Sequence, residues 1–251
     1  MSASDSRTGD LRLISTQRRI VAIRRRLVRE AGVAVKMLED GIAALQVLDS
    51  QAARAVRLSD DQVDNEEVAI EQECYEVLAL RAPFAKDFRL LMFVLRVNAD
   101  VERVADHASS IAKCAVRIAD LAKGHLPAWP TSLIELSQRV PLLCHGTLKA
   151  VLDEDVEAAR RIVASDSVID QLEKRLFDET MEGMRSGPHG DKNLPIGMLT
   201  YRAGRELERV GDLMAAIAED VVYLGTGEII RHEKRRRNLP ATGSPPASGG
   251  Q

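Results

Sequence analysis

Glu102-Arg103-Val104-Ala105-Asp106 returns as Glu208-Arg209-Val210-Gly211-Asp212, 106 residues further along the chain. The copies stay in register without a gap. The same step carries Asp64 onto Asp170, Glu67 onto Glu173, Lys86 onto Lys192 and Arg96 onto Arg202. It also carries Ala52-Ala53-Arg54 onto Ala158-Ala159-Arg160, and Ile111-Ala112 onto Ile217-Ala218. Of the 70 positions from Ala44 to Lys113, 20 are identical to their partner. That is several times the chance rate, so the chain carries an internal duplication. Most of the matched polar positions are charged. A duplication that only kept two folds alike would hold its apolar positions and let the charges drift.

Around this repeat, the 251 residues divide into two related units of about a hundred residues each. Hydrophobic residues make up 45%, enough for a core, while aromatics are only 3%. Leu, Ala, Arg, Glu and Val dominate, the composition of a helical protein. A net charge of −3 argues against wholesale nucleic-acid binding. The three cysteines, Cys74, Cys114 and Cys144, have no Cys-x-x-Cys spacing and read as buried free thiols in a reducing cytosol. No apolar run approaches the length that crosses a bilayer, and the polar N-terminus has no signal segment, so a cytoplasmic protein is expected.

Residues 1–10 read as a disordered leader. A long helix is expected from Leu11 to about Arg57, its start crowded with Arg18, Arg19, Arg24, Arg25, Arg26 and Arg29. Those arginines suit a solvated face or an anionic surface. Ser59-Asp60-Asp61 signals an N-cap, opening a second helix to about Arg81, which Pro83 ends. A third helix runs from near Ala85 to about Lys123, and Gly124, Pro127 and Pro130 form a linker. The plan then repeats: a helix from Thr131 to Ala164, a restart at Ser165-Asp166, a break over 186–190, and a helix from Leu194 to Leu224. Residues 238–251 are mostly Pro, Gly, Ser and Ala, a disordered tail. The basic run Arg231–Arg237 could touch membrane lipid or an acidic partner.

The third helix of each unit carries an apolar seam. Leu90, Val94, Val97, Val101, Val104, Ala108, Ile111, Ala115 and Ile118 step alternately by four and three. Leu207, Val210, Met214, Ile217, Val221 and Leu224 do the same. This spacing belongs to a helix packed along its length in a bundle. The predicted fold is therefore all-α, two tandem duplicated three-helix bundles of long antiparallel helices. The first spans 11–125 and the second 131–232.

At 100° per residue, Glu102 and Asp106 sit about 40° apart, away from the seam. On the preceding helix, Asp64, Glu67 and Glu71 fall within roughly a 60° arc. A bundle could bring both acidic stripes to one outer groove. In the second unit, Asp170 and Glu173 would face Glu208 and Asp212. Asp100 and Glu206 lie on another face and are expected to pair with Arg96 or Arg103, and with Arg202 or Arg209. Like charges at i,i+4 destabilise a helix by roughly 0.2–0.5 kcal/mol per pair, so keeping them in both copies suggests a compensating cation. Carboxylate oxygen without sulfur or imidazole suits hard ions such as Mg²⁺, Mn²⁺, Ca²⁺ or ferric iron. Plain solvated charges are the competing explanation.

No histidine has Glu or Asp three residues before it, as a di-iron carboxylate site of the Glu-x-x-His type would need. Nor is there a phosphate-binding glycine loop or a nucleophile beside a base. A non-catalytic regulator is favoured. A metal-dependent hydrolase or oxidase using the same groove, or a metal-free helical scaffold, are the alternatives.

A duplicated three-helix unit with Asp87-Phe88-Arg89-Leu90 ahead of Asp100-Val101-Glu102-Arg103-Val104-Ala105-Asp106-His107, and then Glu206-Leu207-Glu208-Arg209-Val210-Gly211-Asp212, resembles the PhoU family of phosphate-transport accessory proteins. The resemblance covers roughly Leu11 to His232. It implies a helical regulator, a homodimer at the inner face of the membrane. Its implied partners are a phosphate ABC transporter ATPase and a phosphate-sensing histidine kinase, through which it would associate peripherally with the membrane. It also implies multinuclear clusters of iron, manganese, magnesium, calcium or zinc held by Glu/Asp-x-x-x-Asp motifs. Carried over by position, these are Glu102 with Asp106 facing Glu67 with Glu71, and Glu208 with Asp212. The sequence departs from the pattern where Phe177 takes the place of Glu71, leaving Asp170 and Glu173 to supply that helix's ligands.

Overall fold

The computed structural model describes residues 3–81, 83–186 and 193–230. Seven helices follow one another: α1 (Ala3–Val47), α2 (Ser50–Leu58), α3 (Asp60–Arg81), α4 (Ala85–Ala122), α5 (Thr131–Asp153), α6 (Val156–Ser186) and α7 (Asn193–Thr226). No strand occurs among the described residues. In the first unit α4 packs on α1, α2 and α3; in the second α7 packs on α5 and α6. The units join where α4 lies against α7 and α1 against α5.

The seam explains the packing. Val94, Val97, Val101, Val104, Ala108, Ile111, Ala115 and Ile118 of α4 are buried, as are Leu207, Val210, Met214, Ile217 and Val221 of α7. Ile20, Ile23, Leu27, Ala34, Leu38, Ile42 and Leu45 give α1 a matching buried stripe. Each large buried aliphatic side chain contributes roughly 1.5–3 kcal/mol. Helix α7 approaches α6 closely because Gly204 has no Cβ; one there would overlap Leu176. The three cysteines are buried free thiols, and burial pushes Cys114 up to about 11.

Four expectations are corrected. Helix α1 begins at Ala3, so residues 3–10 continue the helix instead of forming a disordered leader. That stretch holds one glycine and no proline, so nothing in it stops propagation. The helix expected to Arg57 breaks earlier: Leu48 is left-handed (φ 57°), and the Asp49 side chain accepts the N–H groups of Gln51 and Ala52. In the second unit the helix expected to run to Ala164 breaks in the same place. There Glu154 is left-handed (φ 51°), and the Asp155 side chain accepts the Ala158 N–H.

The restart read at Ser165-Asp166 is absent: α6 runs through it, and the Ser165 hydroxyl donates to the Ile162 carbonyl. At Ser59 the backbone stays right-handed helical (φ −80°, ψ −13°), so α2 and α3 act as one kinked helix. The architecture of three long helices per unit therefore stands. Residues 187–192, where the second break was expected, the basic run and the 238–251 tail lie outside the described residues. No described helix is long and apolar enough to cross a membrane.

Three of the six arginines at the start of α1 are engaged within the molecule. Arg19 pairs with Glu76, and Arg26 holds both Glu66 and Glu73. Arg24 pairs with Glu154 and donates to the carbonyls of Val151 and Leu152, capping the C-terminus of α5. It thereby ties the two units together.

Candidate metal centres

In the first unit the groove lies between α3 and α4. Helix α3 contributes Asp64, Glu67 and Glu71, and α4 contributes Glu102 and Asp106, the outward faces that the seam leaves over. The structure adds Asp60, the first residue of α3. Burial pushes the Glu102 carboxyl up, and Asp106, Glu67, Asp64 and Asp60 push it further. Glu67 is raised by burial and by Glu71 and Asp64. Asp60 is raised by burial, against a hydrogen bond from Ser109, with Asp106 and Asp64 adding to the rise. Glu71 accepts the Tyr75 hydroxyl at 2.6 Å. The groove thus gathers six carboxylates, and among the described residues no Lys or Arg pairs with Glu67 or Glu102.

The second groove lies between α6 and α7. Carboxylate oxygens of Asp166, Asp170 and Asp212 all lie within 4.8 Å of one another. Burial and Asp212 raise Glu208 against the opposing pull of Arg205. At the other end, Arg205 reaches Glu173 at 3.5 Å and Glu208 at 3.2 Å. The Tyr201 hydroxyl donates to Glu173 at 2.6 Å, and its ring meets Phe177 edge-on with centroids 5.5 Å apart. The predicted set Asp170, Glu173, Glu208 and Asp212 is therefore brought to one groove, but in two halves. Sequence reasoning missed Asp166 and its partner Asp60, both taken for helix starts, and it missed Arg205. The signal for the aspartates was present, since both sit at the repeat step and four residues before Asp64 and Asp170.

The donor set fits a hard cation: carboxylate oxygens converge in each groove, and Oε2 of Glu208 is buried without a hydrogen-bond partner among the described residues. Asp106 and Asp212, one from each groove, line the same cleft of about 400 Å³ between α4 and α7, with Arg103, Arg209 and His107. Polar side-chain contacts between α4 and α7 also join the units. Arg96 reaches Asp220 at 2.9 Å, and His107 Nδ1 lies 2.8 Å from Glu206. Asp100 pairs with Arg103, and Glu206 with Arg202 and Arg209, as expected from their separate face. Arg96, the alternative partner of Asp100, instead crosses to α7.

A family model for the PhoU domain matches the chain twice, over residues 27–115 and 133–221. The chain belongs to the PhoU family. It is 30% identical over 210 residues to the phosphate-specific transport system accessory protein PhoU homolog of Pseudomonas aeruginosa, covering 84% of this chain and 85% of that protein. Identity to the Escherichia coli K12 protein PhoU is 29% over 211 residues, again 84% and 85% of the two chains. PhoU homolog 1 of Thermotoga maritima is 30% identical over 192 residues, 76% of this chain and 80% of that one. The crystal structure of P. aeruginosa PhoU superposes with a TM-score of 0.79 at 29% identity, over 84% of this chain and 99% of that one. The PhoU fold is shared too with the Streptococcus pneumoniae regulatory protein, with a TM-score of 0.77 at 23% identity over 86% and 99%.

Proposed function

We propose that this PhoU-family chain is a non-catalytic regulator of phosphate uptake and of the phosphate-starvation response. It acts on a phosphate ABC transporter and a phosphate-sensing histidine kinase. The observation that carries this reading is the extent of the likeness. Both units match the PhoU domain, and relatives named as transport-system accessory proteins align over 84% of the chain. The carboxylate grooves are its working surface: Asp60, Asp64, Glu67, Glu71, Glu102 and Asp106 hold hard cations in the first unit, and Asp166, Asp170 and Asp212 in the second. Bound ions would supply positive charge and open coordination positions on an otherwise anionic face.

The polar contacts between α4 and α7 keep the two grooves at a fixed spacing, so a partner meets both at once. No proton transfer is required of the carboxylates, which serve to organise a docking surface at the inner face of the membrane. Deleting the gene and following a phosphate-responsive reporter in phosphate-rich medium tests the regulatory role. Derepression is expected. A reporter that stays silent in excess phosphate would rule the role out.

A further inference from the structure

The two grooves are not equivalent, and the difference lies in three linked replacements. At the 106-residue step, Leu95 corresponds to Tyr201, Ala99 to Arg205 and Glu71 to Phe177. Each changes the same end of the groove. Ala99 is exposed and puts nothing between Glu67 and Glu102. Arg205 instead puts a guanidinium nitrogen 3.5 Å from Glu173 and 3.2 Å from Glu208, the counterparts of that pair. Both carboxylates are largely buried, each side chain 13% exposed, while Arg205 covers them at 37%.

The guanidinium is held in place. Tyr201, one turn before it on α7, fixes Glu173 through its hydroxyl, and Phe177 braces the Tyr201 ring from α6. A phenylalanine where the first groove has Glu71 also removes the carboxylate that would complete the cation site at that end. The opposite end keeps its full set, Asp166, Asp170 and Asp212, matching Asp60, Asp64 and Asp106. An arginine is permanently charged and cannot be released by dilution or chelation. A metal ion at the same place would have to displace it against its bonds to two carboxylates.

We infer that Arg205, braced by Tyr201 and Phe177, is a built-in cation filling the half of the second groove that the first groove leaves for a metal ion, so that the second groove takes metal only at its Asp166/Asp170/Asp212 end. This rests on the reading of both grooves as metal sites. The consequence is a lopsided molecule. The first groove loads and empties with metal supply, and half of the second stays neutralised whatever the supply.

The test uses the full chain with the first groove disabled by Glu102→Gln/Asp106→Asn, stripped with chelator, loaded with Mn²⁺ alone and read by native mass spectrometry. Adding Arg205→Ala/Phe177→Glu is expected to raise the bound Mn²⁺ by one equivalent per chain. It is also expected to lower the melting temperature of the stripped protein, and Mn²⁺ should restore it. The reciprocal change Ala99→Arg, with both grooves otherwise intact, should remove one equivalent. Arg205→Met keeps the packing of the stem and serves where the double change disturbs folding, which circular dichroism reports. Unchanged stoichiometry in the helical variants, or a second groove that holds as many ions as the first before any change at Arg205, would overturn the inference. An unaltered chain that binds no Mn²⁺ at either groove would instead overturn the metal reading beneath it.

Discussion

Replacing Glu30 by leucine should stabilise the protein at neutral pH and flatten its dependence on pH. Glu30 is 5% exposed on α1, in the first bundle, and its Oε1 atom has no hydrogen-bond partner among the described residues. Its counterpart one repeat later is Leu136, fully buried in the core. Burial pushes the Glu30 carboxyl from its ordinary 4.5 up to about 7, with Glu66 adding to the rise and Arg26 and Arg29 opposing it.

A carboxyl raised on folding stabilises the folded state below its unfolded value, and that contribution is lost as the pH climbs through the folded one. A pKa that differs by one pH unit between the folded and unfolded chains corresponds to about 1.4 kcal/mol, so the full loss is about 3 kcal/mol well above pH 7. Between about pH 5.5 and pH 8 the loss is about 2 kcal/mol. A chain of this size changes its melting temperature by roughly 2–4 °C per kcal/mol. Metal-stripped wild type should therefore lose roughly 4–8 °C more than Glu30→Leu over that range, and the variant should melt higher at pH 8. Calorimetric melts at both pH values make the comparison. Equal slopes, or a less stable variant at pH 8, would refute the buried-carboxyl reasoning.

Glu102→Gln/Asp106→Asn should keep full helicity, because both residues face away from the buried seam. With metal stripped it should melt about 1 °C or more above wild type, since it relieves an i,i+4 repulsion of roughly 0.2–0.5 kcal/mol and further repulsion across the groove. Metal-loaded wild type should melt above its own stripped form, because a ligand bound only by the folded state stabilises it. Titration calorimetry should find the first groove binding more tightly than the second, so Glu102→Ala/Asp106→Ala costs more affinity than Glu208→Ala/Asp212→Ala. Asp49→Ala removes the cap on Gln51 and Ala52 and should cost about 1 kcal/mol by denaturant melts, whereas Asp61→Ala, on an exposed face, should cost less.

Much of the fold was legible because the repeat and the seam are periodic signals. Val94 to Ile118 could be read as one buried face without any knowledge of the partner helices. The kinks at Leu48 and Glu154 were not legible. A left-handed residue is usually announced by glycine, and here Leu and Glu adopt that conformation, with only the duplicated Asp49 and Asp155 as a hint. In the site, Glu102 and Asp106 were readable because they recur at the repeat step away from the seam. Asp60 and Asp166 recur too, but a Ser-Asp pair reads equally well as a helix start. Arg205 could not be placed from sequence, because its bond to Glu173 depends on the register of α7 against α6. The same holds for Arg96 reaching Asp220 across the two units.

The most direct test replaces the chromosomal gene with a form whose grooves are both neutralised, Glu102→Gln/Asp106→Asn with Asp170→Asn/Asp212→Asn. A phosphate-responsive reporter is then followed in phosphate-rich medium, with circular dichroism on the purified variant to confirm its helicity. If the carboxylate grooves are the working surface, the reporter is derepressed to the level of the full deletion. Full repression by a helical, metal-free variant would contradict it.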